Sequence, residues 1–337
     1  MTPHIDPAAV PARTLTTGQK MPVIGMGTFG SDKYTPAQVA AAVDGAIDFG
    51  WRMFDCASVY GNEALIGEVL HKKITDGIVR RDELFVTSKV WNDMHGEGDI
   101  LLSLARSLKD LRLEYVDAFF IHWPFPNYHP PGCSADSRSP DARPYIHEEF
   151  MAVWRQMERT SRMGLVRALG VSNMTIPKLK LLLRDCEIKP AVIEMELHPT
   201  LQQAELVDYC LEHGLQIIGY SPIGSPSRPE RDRTPEDMSD MDMPVIREIA
   251  EKHGVHPALV CLKWAAQRGW SPIPFAVQPE KYRANLACVL SDPLTGDEMA
   301  AIATCERGCR LVKGHVFLWP GAKDWRDLWD MDGSIVQ

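Results

Sequence analysis

At 337 residues, 45% hydrophobic and 24% charged, the chain can bury a large core, as one barrel-sized domain or two smaller ones. Its net charge of -9 and isoelectric point near 5.7 exclude a surface built for nucleic acid or anionic membrane, since both need concentrated positive charge. No window approaches the roughly 18 consecutive apolar residues of a membrane span, so no membrane contact and a cytoplasmic location are expected.

The opening stretch MTPHIDPAAVPART has neither a basic start nor an apolar run, and reads as an arm over residues 1–12 rather than a secretory signal. GQKMPVIGMGTFG follows as an N-terminal β-hairpin, then a helix over TPAQVAAAVDGAIDFG. From there strand-like runs alternate with amphipathic stretches. RMFDCA leads to NEALIGEVLHKKI, LFVTSKV to ILLSLARSLKDLRL, DAFFIHW to HEEFMAVWRQMERTSRMG and VRALGVS to IPKLKLLLRDC. AVIEMEL leads to QQAELVDYCLEHG, LQIIGYS to a loop with PVIREIAEKHG and PALVCLKWAAQRG, and SPIPFAV to PEKYRANL. Gly50, Gly164, Gly214, Gly254 and Gly269 mark helix ends, where a left-handed residue is wanted.

Such alternation implies parallel strands joined by right-handed crossovers, and seven or eight units fit one (β/α)8 barrel spanning residues 13–337, tail 304–337 included. The doubly wound dinucleotide fold is disfavoured, because the glycines at 25, 27 and 30 belong to a hairpin-like stretch and do not join a first strand to a helix. Two long irregular stretches, 124–145 and 222–243, follow strands and so lie over the C-terminal face, where barrel enzymes keep their sites. The eight cysteines form no CxxC or Cys/His cluster and are read as reduced thiols, with no metal site. Cys56 is read as a small buried hydrophobe, and Cys305 and Cys309 as filling on one helix face rather than a redox pair.

Asp55, Tyr60, Lys89 and His122 each sit just after a strand-like run. If those strands are adjacent, an acid, a phenol, an ammonium and an imidazole gather at one rim, which is a proton-transfer site. Reducing a carbonyl leaves an alkoxide that needs a proton donor within hydrogen-bond reach. Tyr60 can donate; Lys89 beside it would lower a pKa ordinarily about 10, Asp55 would hold the lysine charged, and His122 would orient the carbonyl oxygen or relay the proton.

These residues occur within motifs that resemble the aldo-keto reductases, in particular the aldose and aldehyde reductase branch. The motifs are GMGTF at 25–29, FDCASVYGNE at 54–63, TSKVW at 87–91, IHWP at 121–124, GVSN at 170–173, ELHP at 196–199, YSPIGSPSRP at 220–229 and PEKYRANL at 279–286. The resemblance covers roughly residues 13–300 and implies the catalytic roles just given for Asp55, Tyr60, Lys89 and His122. It implies an extended nicotinamide cofactor, with Thr28, Asp55, Ser172, Asn173, Tyr220 and Ser221 at the nicotinamide and ribose and Tyr220 stacked on the ring. Ile223, Ser225 and Ser227 would cross the pyrophosphate, and Lys281 and Asn285 would hold the adenosine end. Phe29, Trp91 and Trp123 resemble the aromatic substrate wall, Glu230 replaces a family tryptophan, and Trp319, Trp325 and Trp329 of the tail could close a lid or pack outside the barrel.

Departures from the pattern shape the expectations. Phe275-Ala276 stands where relatives carry a lysine and a hydroxyl residue at the 2′-phosphate, Lys281 where they carry arginine, and Ser227 where close relatives carry an acid that bridges to the missing lysine. Looser cofactor retention and a weakened NADP(H) preference are therefore expected, with NADP(H) still slightly favoured over NAD(H) through Lys281 and Arg283. Glu194 replaces a glutamine beside the carboxamide; as a carboxylate it accepts from the amide NH2 but cannot donate, and it would favour the oxidised, positively charged ring. The implied activity is reversible reduction of a small aldehyde, ketone or sugar by a monomer. The other reading is a noncatalytic, cofactor-binding regulatory or structural member of the same fold, against which the joint presence of Tyr60 and His122 counts. His122 likewise counts against reduction of a carbon-carbon double bond, which relatives with Glu there perform.

Overall fold

Side chains alternate across a β-strand, so every second residue of each parallel strand faces the barrel axis. A computed structural model describes residues 4–129, 137–226, 228–230 and 233–335. A two-stranded hairpin, β1 (Ala12–Thr14) and β2 (Lys20–Pro22), precedes the first barrel strand β3 (Met26–Gly27). Then come α1 (Pro36–Phe49), β4 (Met53–Asp55), α2 (Glu63–Thr75), β5 (Phe85–Val90), α3 (Asp99–Leu111), β6 (Val116–Ile121) and α4 (His147–Arg162). Next are β7 (Val166–Ser172), α5 (Ile176–Asp185), β8 (Val192–Glu196), α6 (Ala204–Glu212), β9 (Gln216–Tyr220), α7 (Pro244–His253), α8 (Pro257–Gln267), β10 (Ser271–Pro272), α9 (Pro279–Cys288) and α10 (Gly296–Ala303).

The eight strands β3 to β10 pair in sequence order, each parallel to the next. The ring closes where Gly25 N donates to Pro272 O at 3.0 Å and Gly27 N to Pro274 O at 3.1 Å. Glycine is required at that seam, because a Cβ on Gly27 would stand 2.9 Å from the carbonyl oxygen of Ile273. The fold is thus the expected α/β barrel, with one difference. The segment read wholly as a hairpin also contains the first barrel strand, only two residues long, and its true hairpin partner lies upstream at Ala12–Thr14.

The inward rows run from apolar to polar toward the C-terminal ends: Met53 to Asp55, Phe85 through Thr87 to Lys89, Ala118 and Phe120 to His122, Ala168 and Gly170 to Ser172, Val192 to Glu194 and Glu196, and Ile218 to Tyr220. The apolar lower part packs into one cluster with Leu15 and Met21 of the hairpin, which plugs the opposite end. Phe120 occupies the centre because Gly170 leaves it room; a Cβ there would lie 2.4 Å from the ring. A second, larger cluster fills the space between strands and helices, with Val43, Ile47, Leu104, Trp154 and Trp264 buried.

The five glycines read as helix ends all take positive φ. One helix had no clear periodic signal: α10 forms behind a capping box in which Thr295 accepts from Glu298 N while the Glu298 side chain accepts from Thr295 N. Because α10 ends at Ala303, Cys305 and Cys309 lie beyond it and do not share a helix face; both are free thiols, as is the buried Cys56. None of the described helices is long and apolar enough to cross a membrane.

Candidate active site

Parallel strands deliver all their C-terminal ends to one rim, where a cavity of about 1480 Å³ opens. Pairing places Asp55 of β4 opposite Thr87 of β5, so Lys89, one inward step further, reaches back over the carboxylate. Thr87 Oγ1 donates to Asp55 Oδ1 at 2.6 Å, and Lys89 Nζ donates to Asp55 Oδ1 and Oδ2 at 2.7 and 2.6 Å and to Cys56 O at 3.2 Å. Burial would lower the lysine pKa, but Asp55, then Glu194 and Tyr60, outweigh it and hold Lys89 well above its ordinary value. Lys89 is fully buried and stands behind the cavity wall, whereas Asp55, Tyr60 and His122 line it.

Tyr60 ends a one-turn 3-10 helix, Ser58–Tyr60. Its ring lies 5.2 Å from that of Phe29 and 5.9 Å from that of His122, with Lys89 Nζ 5.3 Å from its centre. The expected acidic phenol is corrected here. Burial raises the Tyr60 pKa more than the charge and hydrogen bond of Lys89 lower it, and Asp55 and Glu194 raise it further. The ammonium alone was visible in sequence; the removal of water was not. Tyr60 is consequently protonated at neutral pH.

His122 is held neutral, well below its ordinary pKa, by burial and by the charges of Lys89 and His129. Its Nδ1 is buried and makes no hydrogen bond among the described residues, and Trp91 packs edge-on at 5.0 Å. Opposite, Asn173 adopts φ 57° and is fixed at both ends of its amide: Nδ2 donates to His122 O at 2.9 Å, and Oδ1 accepts from the Tyr220 hydroxyl at 2.7 Å. Among the described residues, Ser172 Oγ and Glu194 Oε2 are buried without a hydrogen bond, although Oε2 lies 3.4 Å from the Lys89 ammonium, and both residues line the cavity.

Glu194 lies 3.4 Å from Lys89 Nζ, yet that ammonium is already bidentate on Asp55. Burial, then Asp55, push its pKa up to about 8 against the opposing pull of Lys89. The expectation of a carboxylate at this position thus meets surroundings that favour its protonated form.

Thr28 lines the cavity while its hydroxyl donates to Asp55 O at 2.7 Å. Ser221 (φ 54°), Ile223 and Ser225 (φ 41°) line the side formed by the loop after β9; Ser227 lies outside the described residues. Lys281 and Asn285, projecting from α9, line the far end beside Phe275 and Ala276. Arg283 is corrected as a cavity cation, since its guanidinium lies 5.5 Å from the Phe49 ring centre on α1 and not among the lining residues. Sequence reading also missed Arg228, which lines the cavity, pairs with Asp237 and donates to Ser225 O at 3.2 Å, bracing that loop.

Phe29, Trp91 and Trp123 all line the cavity, although Trp123 is only 5% exposed and chiefly supports Phe317 at 4.5 Å and Trp329 at 5.6 Å. The tail closes the cavity with Val312, Gly314, Val316 and Phe317, not with its tryptophans. Trp329 instead stacks under Arg310 at 3.6 Å, and Glu230 is exposed and paired with Arg233. No periodic pattern marks this segment, so its lining residues had no signal in sequence.

Buried charges pin the tail. Glu196 accepts from Leu311 N at 2.7 Å and Val312 N at 2.9 Å, and bonds His198 at 2.9 Å; Asp240 holds the other imidazole nitrogen. Burial lowers the His198 pKa, but the bonds to Asp240 and Glu196 outweigh it and raise it to about 9. Further along, Lys178 Nζ of α5 donates to Asp330 Oδ2 at 2.5 Å. Lys178→Met should free the tail, seen as new proteolytic cleavage after residue 311. In the same variant KM should rise about tenfold with kcat held, equivalent to about 1.4 kcal/mol of uniform binding lost; an unchanged KM would separate the tail from the substrate pocket.

Residues 23–307 match the sequence profile of the Aldo/keto reductase family. An aldo/keto reductase of Synechocystis sp. is 37% identical over 317 residues, covering 94% of this chain and 95% of the relative. Aldo-keto reductase family 1 member A1 of Bos taurus is 40% identical over 300 residues, covering 88% and 90%. Among solved structures, an aldo-keto reductase complexed with NADPH superposes with a TM-score of 0.78 at 33% identity, over 90% of each chain. A Bombyx mori aldo-keto reductase in complex with NADP gives 0.79 at 30%, over 90% of this chain and 95% of that one. Barrel, rim chemistry and relatives thus agree, and the chain belongs to the aldo/keto reductase family of oxidoreductases.

Proposed function

We propose that this chain is an NADP(H)-dependent carbonyl reductase acting reversibly on small aldehydes, ketones or sugars, with Tyr60 as the proton donor. The observation that carries the reading is a protonated phenol and a neutral imidazole, 5.9 Å apart, on the cavity wall in front of the fully buried Lys89–Asp55 pair. The complexes of the two structural neighbours with NADPH and NADP support the choice of cofactor.

The residues present fit a nicotinamide. Ser172 Oγ and Glu194 Oε2, buried and without a hydrogen bond among the described residues, offer hydrogen bonds to its amide, and the half-buried Tyr220 ring offers a stacking face. When bound, the cofactor supplies the hydride to the carbonyl carbon. The Tyr60 hydroxyl gives its proton to the carbonyl oxygen, and the neutral His122 ring donates an N–H to the same oxygen and orients it. Lys89 stabilises the phenolate left behind, and Asp55 keeps the ammonium in place. Trp91, Phe29 and Phe317 exclude water and set an aromatic, weakly selective wall. An NADPH-oxidation assay across aldehydes, ketones and sugars tests the reading, and no turnover with any of them would refute it.

At the adenosine end, Lys281 is a cavity cation held at an exposed position, and Phe275 sits edge-on to Tyr34 at 5.5 Å. NADPH should therefore dissociate quickly in stopped flow. Phe275→Lys should slow dissociation about tenfold, about 1.4 kcal/mol, for NADPH but not for NADH. Equal effects on both nucleotides would place the 2′-phosphate elsewhere.

A further inference from the structure

We propose that Glu194 is a redox-linked proton switch: neutral and donating a hydrogen bond into the cleft in the empty and reduced-cofactor states, and ionised when a positively charged nicotinamide ring is bound. The inference rests on the proposed cofactor and goes beyond it by assigning a proton that neither the hydride nor Tyr60 accounts for.

Charge and geometry carry the argument. Asp55 from β4 and Glu194 from β8 face one ammonium, Lys89 from β5, and Asp55 takes it at 2.6 and 2.7 Å against 3.4 Å for Glu194. Glu194 is 3% exposed, so water solvates a second negative charge poorly there and no counter-charge replaces it. The remaining titratable groups around it do not supply it either. Tyr60 and Tyr220 are both held protonated by burial, and His122 is held neutral. Glu196, two residues along β8, is already matched by His198 and lies 4.0 Å from Arg310. A neutral acid is the consistent state: its Oε2 is buried, makes no hydrogen bond among the described residues and has only the already committed Lys89 ammonium at 3.4 Å, while the residue lines the cavity. A pKa near 8 places the proton within reach of a single added charge. A cation at the ring position supplies that charge; the O–H bond of Glu194 breaks, the electron pair stays on oxygen and the proton leaves to solvent.

Calorimetric titration of the full-length protein with NADP+ and with NADPH, in two buffers of different ionisation enthalpy at pH 7, counts protons released. NADP+ should release up to about one proton more than NADPH, and below about pH 8 its affinity should rise up to about tenfold per pH unit relative to NADPH. The 2′-phosphate titrates in both nucleotides and cancels in the comparison. Glu194→Gln should abolish the difference; an identical NADP+ and NADPH proton count in wild type, or a difference that survives in Glu194→Gln, overturns the proposal. As a readout independent of the variant, the infrared difference spectrum of wild type on adding NADP+ should lose a carboxylic-acid band and gain a carboxylate band, and no such change would overturn it equally. Failure of wild type to bind either nucleotide would instead overturn the cofactor reading itself.

Discussion

Tyr60→Phe should lower kcat/KM for aldehyde reduction by about 10²–10⁴-fold, or about 3–5 kcal/mol of transition-state stabilisation, with nucleotide affinity unchanged. The variant removes only a hydroxyl and keeps the ring against Phe29 and His122, so the cavity wall persists. What is lost is the proton that must reach the alkoxide. His122 cannot replace it well: a neutral imidazole, held far below its ordinary pKa, releases its ring N–H only at great cost. Because burial keeps Tyr60 protonated, kcat/KM for reduction should show no loss from this group across neutral pH. Activity of the variant above about a tenth of wild type would transfer the donor role to another group.

Lys89→Met should harm both stability and turnover. Methionine fills similar space without charge, leaving Asp55 nearly fully buried with only Thr87 Oγ1 as a side-chain donor. Breaking a buried pair in this way costs about 3–5 kcal/mol, read as a lower urea midpoint at constant slope. Lys89→Met combined with Asp55→Asn should recover much of the stability, because no unpaired charge remains, yet stay inactive, because nothing then stabilises the phenolate of Tyr60. Recovered activity in the double variant would refute the role given to Lys89. A single variant as stable as wild type would refute the ion pair.

These two expectations draw on different sources of information. That Asp55 and Lys89 meet was legible in the chain: each follows an apolar run, successive runs pair in order, and a shared inward row brings them together. The motifs around Tyr60, His122 and Asn173 made the carbonyl chemistry legible as well. The protonation of Tyr60 and Glu194 was not, because desolvation sums over every neighbour in space and leaves no trace in spacing along the chain.

Sequence by itself determined the alternating units, the order of the barrel strands, the helix ends at glycine and the rim residues, since all of these follow from short-range periodicity and local backbone preference. Tertiary structure alone decided the two-residue seam at Gly27, the withdrawal of Lys89 behind the wall, the turning of Arg283 onto Phe49 and the choice of Phe317 over the tail tryptophans to close the cavity. Each of these depends on which distant atoms fill the same space, a competition settled by packing and solvent exclusion across the whole barrel and not by any local rule.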